Sequence, residues 1–194
     1  MLNDRSSSLS LLQTRRSGRP RQMSGPGPTE LELEQILTIA ARTPDHGKLA
    51  PWRFIVVEDE DRDAFAALLR EALSQEDACA TNAHHIKEEE FAHYAGSLVM
   101  LVSAPVHGHK ISIWEQELSC GAAGMNLLLA AHSLGYVGGW LTGWRAYSPR
   151  VTQAFCKPGE RIAGFIFIGD SACELDERPR PQLDQVSSRW KPSL

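Results

Sequence analysis

The chain has no paired-cysteine motif, no apolar run long enough to cross a bilayer and no excess of positive charge. Each absence removes a class of function. Its four cysteines, at 79, 120, 156 and 173 of 194 residues, are widely spaced with no CxxC pair. Such spacing builds neither a disulfide framework nor a zinc site, and reads as reduced cytosolic thiols. The longest nearly apolar stretch, Cys120 to Ala131, is too short for a membrane span and contains Asn126. Arg15 and Arg16 are followed by Ser-Gly-Arg-Pro-Arg rather than an apolar region, so no export signal is read there. The expectation is a soluble cytoplasmic protein with no membrane partner. A net charge of −4 argues against a dedicated nucleic-acid binder.

Several catalytic signatures are missing too. His85, Glu89 and His93 fall four apart, beside His84 and Glu88, but HExxH is absent and the segment is charged on several faces. A solvated helix is the reading, with no metal site. The glycine segment from Gly135 to Gly143 lacks the GxGxxG spacing of a dinucleotide fingerprint. No serine or cysteine sits in a nucleophile elbow, so triad chemistry has no support.

What is present suits one globular domain. At 194 residues and 42% hydrophobic, the chain can bury a sizeable core. Residues 1–7 are polar and expected to be a disordered extension, with a single domain over 8–194. Leu9, Leu11 and Leu12 predict a short helix over 8–14, and Gly-Pro-Gly-Pro at 25–28 a turn. Thr29 with Glu32, and Ser112 with Glu115, have the capping-box spacing. They open helices expected to run to about Arg42 and Leu134. Strands are predicted at 53–58, 97–103, 138–142 and 162–168, with a further helix from Arg62 to Leu73. The segment 76–94 is polar and histidine-rich, helical in its second half. From Gly121 to Ala131 the long helix is apolar around nearly its whole circumference and must be covered on all sides. In so short a chain, homodimerisation is the economical cover. The tail beyond Gly169 is rich in Asp, Arg and Pro and ends near Trp190, an apolar anchor suited to packing on a partner subunit.

Three clusters could carry chemistry. Arg15, Arg16, Ser17 and Arg19 gather three cations and a hydroxyl within five residues. The guanidinium fork suits phosphate, although such a cluster near an N-terminus also occurs as a solvated tail. Arg42, Asp45, His46, Lys48 and Trp52 crowd a loop between a helix and a buried strand, the usual place for binding groups. At 138–143, Gly-Gly-Trp-Leu-Thr-Gly would let backbone approach a flat ligand, with Trp140 giving ring contact and Thr142 a hydrogen bond.

In order and spacing these segments resemble the nitroreductase family, from about Leu9 to Ile168. The motifs are RRSGR at 15–19, ARTPDHGKLAPWRF at 41–54, WEQELSCGAAGMNLLLAAHSLG at 114–135 and GGWLTG at 138–143. The small single-domain NAD(P)H nitroreductases are the nearest subgroup. The resemblance implies an α+β fold, with a central, mostly antiparallel sheet flanked by helices, a long buried central helix and an intertwined homodimer holding FMN at its interface. Arg15, Arg16 and Ser17 match positions that hold the phosphate and ribityl chain, and Arg19 a basic position near the flavin N1/O2 edge. Arg42 and His46 match positions reaching the flavin of the opposite subunit. Trp140, Leu141 and Thr142 match a flavin-contacting strand, and Ala130, Ala131 and Gly135 a nicotinamide-binding assignment. The implied activity is ping-pong electron transfer from NADH or NADPH through FMN to a nitroaromatic, quinone or similar acceptor. The chemistry resides on FMN, so no protein nucleophile is required. A flavin-binding module without turnover and a flavin-fragmenting oxygenase stand as alternatives. One departure is His93-Tyr94-Ala95-Gly96, where the family often has an Arg-Ala-Pro turn.

Overall fold

The computed structural model describes residues 1–192; the last two residues of the tail, 193 and 194, lie outside the described residues. Five strands form an antiparallel sheet: β1 (Met23–Ser24), β2 (Trp52–Val57), β3 (Ser97–Ser103), β4 (Val137–Leu141) and β5 (Arg161–Ser171). β5 is central. It pairs β3 on one side and β4 on the other, β2 adds to β3, and β1 pairs the last two residues of β5. The helices are α1 (Ser8–Thr14), α2 (Glu30–Ala40), α3 (Arg62–Glu76), α4 (Asn82–Ala92), α5 (Ile113–Leu134), α6 (Pro149–Phe155) and α7 (Leu183–Val186). This is the α+β architecture the sequence led us to expect.

Strand periodicity sorts the core into two layers. Leu98, Met100 and Val102 of β3 and Phe165 and Phe167 of β5 point to one side, where they meet Phe65 and Leu69 of α3 and Phe91 of α4. Val99, Leu101, Ile166 and Ile168 point to the other, against Ile36 of α2 and Leu127 and Leu128 of α5. Both faces are therefore dry, which is why 97–103 reads as an unbroken apolar run rather than an alternating one.

Local chemistry fixes the element ends. At Thr29 both halves of the capping box form. At Ser112 only the forward half does: its hydroxyl accepts the Glu115 N–H, while the Glu115 carboxylate meets the Ser112 hydroxyl and His46 rather than the Ser112 N–H. α5 stops at Gly135, whose φ of 106° is a left-handed cap that favours glycine. The β3–β5 register shifts between Leu101 and Val102, whose partners are Gly164 and Ile162, so Ala163 is an extra residue in β5. Its freed carbonyl accepts the Trp140 indole N–H at 3.1 Å.

Two expectations need revision. Residues 1–7 are tied down: the Asn3 side chain exchanges hydrogen bonds of 2.7 and 3.1 Å with the Arg16 backbone, and Asp4 N–H donates to Thr14 Oγ1. α3 runs three residues further than its charge pattern suggested, to Glu76. A single chain leaves part of α5 uncovered, with Trp114 67% and Leu118 54% exposed, in keeping with the expectation that one subunit does not cover this helix alone.

Candidate functional site

The arginine segment begins where α1 ends. Ser7 caps α1 by accepting the Ser10 N–H, and Arg15 closes it in an extended conformation, so residues 15–19 leave the helix as a strap. Gly18 N–H donates to the Gly138 carbonyl at 3.1 Å, laying this strap along β4. The approach is close: a Cβ at Gly139 would stand 2.8 Å from both the Gly18 oxygen and the Pro20 ring. Glycine is required there by contact alone.

Between strap and strand lies a cleft of about 430 Å³, walled by Arg16, Ser17, Arg19, Tyr94, Trp140 and Arg178 among others. A larger cavity of about 490 Å³ near the start of α3 is bordered by Glu30, Glu58, Asp59 and Glu60, the wrong sign for an anion. The cleft has the right sign. Arg15 Nη2 donates to Ser17 Oγ at 3.2 Å, but its buried Nε has no partner. Burial first, then the neighbouring Arg180 and Arg16, push the Arg15 pKa below the ordinary guanidinium value. Arg180 reaches the Arg15 carbonyl at 3.4 Å, and Arg16 donates to the Asp176 carbonyl at 2.8 Å. Several guanidiniums thus converge, with Glu177 paired to Arg180 at 3.1 Å as countercharge and one buried donor, Arg15 Nε, unspent. A phosphate monoester fits this donor set, because it accepts several charge-assisted hydrogen bonds at once.

The sequence candidates fall into three groups. Arg16, Ser17, Arg19, Trp140 and Leu141 meet at the cleft, with Arg15 behind Ser17 and Thr142 exposed just past β4. Trp140 does not offer an open ring face. Its indole lies on the α5 side, where a Cβ at Gly124 would come within 2.5 Å of it and one at Gly164 would also collide. What β4 presents is backbone and an indole edge. Arg42 and His46 form the second group: they sit in the α2–β2 loop, do not line the cleft, and His46 pairs with Glu115 at 2.9 Å. The third group is corrected. Ala130 and Ala131, 2% and 0% exposed, belong to the α2–α5 core and offer a nicotinamide no surface. Gly135 is exposed, and its role is the helix cap.

Arg178, Arg180 and Tyr94 were missed. The tail arginines stand 160 residues from the strap, and only the second basic pair, Arg178-Pro-Arg180, hinted at a matching cluster. Tyr94 packs edge-on against Phe91 and Phe167, with ring centroids 5.7 and 5.5 Å away. Below it Glu88, 4% exposed, pairs with Arg145, whose guanidinium carbon lies 3.9 Å above the Phe91 ring.

Beside the strap sits His132, fully buried in the last turn of α5, with Nε2 accepting the Gly138 N–H at 3.2 Å. Burial, then the Arg15 charge, lowers its pKa from 6.5 to about 4. Between those values the unfolded chain binds the proton and the folded chain refuses it. Stability is therefore full above about pH 6.5 and falls as pH drops to about 4, by about 3 kcal/mol in all. Urea unfolding across that interval checks this. His132→Gln, which keeps an acceptor and does not titrate, should lose correspondingly less.

Comparison with known proteins bears on the whole chain. The sequence model of the Nitroreductase family matches residues 12–170. YdjA of Escherichia coli K12, named as a candidate NAD(P)H nitroreductase, is 36% identical over 163 residues, covering 83% of this chain and 86% of its own. A Haemophilus influenzae protein with the same designation is 34% identical over 179 residues, covering 91% and 94%. Among solved structures, a nitroreductase-like family protein from Bacillus cereus superposes with a TM-score of 0.82 at 19% identity, covering 96% of this chain and 97% of that one. A Desulfovibrio desulfuricans protein described as a nitroreductase candidate in complex with FMN gives 0.70 at 20% identity, covering 96% and 99%.

Proposed function

The chain belongs to the nitroreductase family, and from that membership we propose that it is an FMN-dependent oxidoreductase. It takes hydride from NADH or NADPH and returns two electrons, in ping-pong order, to a nitroaromatic, quinone or similar electron-poor acceptor. The carrying observation is the unpartnered Arg15 Nε within a group of mutually repelling guanidiniums, beside the glycine-lined β4. Arg15, Arg16 and Ser17, joined by Arg178 and Arg180, hold the phosphate end. Arg19 stands at the electron-rich edge of the ring system, where a cation favours the reduced cofactor electrostatically. Gly139 to Leu141 and Tyr94 line the part of the cleft that would take the ring system. When bound, FMN supplies the two-electron chemistry; the protein binds, orients and tunes it.

The working unit in this reading is a homodimer. Support comes from the uncovered face of α5, where Trp114, Leu118 and Ala122 are exposed and a Cβ at Gly121 would meet open space. Leu183, Val186 and Trp190 of the tail are at least 65% exposed, and the outer edge of β2 is unpaired among the described residues. A second copy covers these surfaces and brings its Arg42 and His46 to the flavin. No helix among the described residues is long and apolar enough to cross a membrane, and the four free thiols suit a reducing cytoplasm.

The test is an anaerobic absorbance spectrum of protein loaded with FMN, desalted, and titrated with NADH and NADPH. A retained flavin band that bleaches with either nucleotide and recovers with an acceptor is the expected result. Retained flavin that never bleaches would replace the reductase with a binding module, and flavin consumed with oxygen would mark the oxygenase.

A further inference from the structure

The loop between α2 and β2 is held in a costly shape. Lys48 and Ala50 have φ of 58° and 46°, and Gly47 has 84°. Side-chain-bearing residues rarely occupy that region, and it recurs where function constrains the backbone. Two contacts fasten the loop. Asp45 Oδ2 accepts the Ala50 N–H at 2.6 Å, and His46 Nδ1 lies 2.9 Å from Glu115 Oε2. The second contact joins the two segments that carry much of the family likeness, residues 41–54 and 114–135. Glu115 is itself steadied, since its Oε1 accepts the Ser112 hydroxyl at 3.1 Å.

This arrangement does little for stability. His46 and Glu115 side chains are 68% and 42% exposed, and such pairs contribute little. It does control one imidazole. Hydrogen bonds from His46, then Ser112, keep the Glu115 carboxyl below its ordinary pKa, so it is ionised and can only accept. His46 must then carry a hydrogen on Nδ1. Its Nε2, without a partner among the described residues, is the edge left for a ligand.

We propose that Glu115 is a positioning residue for the cofactor site: relayed from Ser112, it fixes the tautomer and direction of His46 so that Nε2 meets the flavin held in the second copy's cleft. This rests on the role given to His46 above. The polarity of the ring follows from it. Nδ1 always points at the carboxylate, and Nε2 alone changes partner as cofactor comes and goes.

The test is a double-mutant cycle on FMN affinity, read by flavin fluorescence, with far-UV circular dichroism confirming the fold. His46→Ala and Glu115→Ala should each weaken FMN binding about tenfold, the size of one ordinary hydrogen bond. The double variant should bind no more weakly than His46→Ala alone, because Glu115 acts only through the imidazole. Glu115→Gln, whose amide oxygen still accepts from Nδ1, should stay within about threefold of wild type. Additive losses, or wild-type affinity in Glu115→Ala, overturn the proposal. Nitrogen-15 NMR of the cofactor-free protein should find His46 as the Nδ1–H tautomer, and mixed in Glu115→Ala; an unchanged tautomer overturns it as well. If wild-type protein takes up no FMN, the functional reading fails and the flavin half of the proposal with it. The tautomer still decides whether Glu115 positions the ring.

Discussion

Glu88→Ala lowers the unfolding free energy by about 3–5 kcal/mol, the cost of stranding a buried charge. In a chain of this size that is a melting point about 6–20 °C lower. Glu88 and Arg145 side chains are only 5% and 16% exposed, and Arg145 Nη2 donates to Glu88 Oε1 at 2.7 Å. The Trp144 indole N–H reaches the same oxygen at 3.4 Å. Removing the carboxylate leaves Arg145 uncompensated over the Phe91 ring. Converting both residues to apolar ones, Glu88→Leu with Arg145→Met, should recover most of the loss, because the pair's desolvation cost disappears together with its attraction. Chemical denaturation of the single and double variants separates the two accounts. A double variant left as unstable as Glu88→Ala would show that the pair supplies net stability.

The second large effect concerns the cofactor's charged end. Arg16→Ala combined with Arg178→Ala should weaken FMN binding about 100-fold or more, since each charge-assisted hydrogen bond contributes about 1.5–3 kcal/mol. Riboflavin, which lacks the phosphate, should bind both proteins with nearly equal affinity. Comparing the two ligands by isothermal titration isolates the phosphate term. Equal losses for both ligands would instead place these arginines against the ring system.

Much of the fold was legible because its signals are local. The Thr29–Glu32 capping box and the apolar run at 97–103 each depend on a few neighbouring residues. The two-residue β1 was not legible, since no period can be read from Met23 and Ser24. Nor could the Ser112 pattern reveal that Glu115 also reaches a histidine 69 residues away. The site divides the same way. Arg16, Ser17 and Arg19 are contiguous and were visible as a basic cluster. Arg178 comes to the same cleft from the far end of the chain, and a polar tail hides such a residue among solvated ones. Trp140 lines the cleft, but the sequence could not say how. Alternation places it on one face of β4, but which face bears the cleft depends on Gly18 and Pro20 crossing the other. Ala130 and Ala131 followed a family assignment that their burial does not support.

The two dry faces of the sheet carry a consequence for folding. In a strand with one wet face, a one-residue slip drives apolar groups into water and is rejected at once. Here β3 and β5 would merely exchange one greasy layer for the other, so hydrophobicity leaves slippage nearly unopposed. The correct alignment must be recognised by shape: the supernumerary Ala163, whose carbonyl accepts the indole, and the hollow between Gly124 and Gly164 that admits Trp140 at one registration. Besides walling the cleft, Trp140 works as an indexing peg, locking β4 and β5 into step.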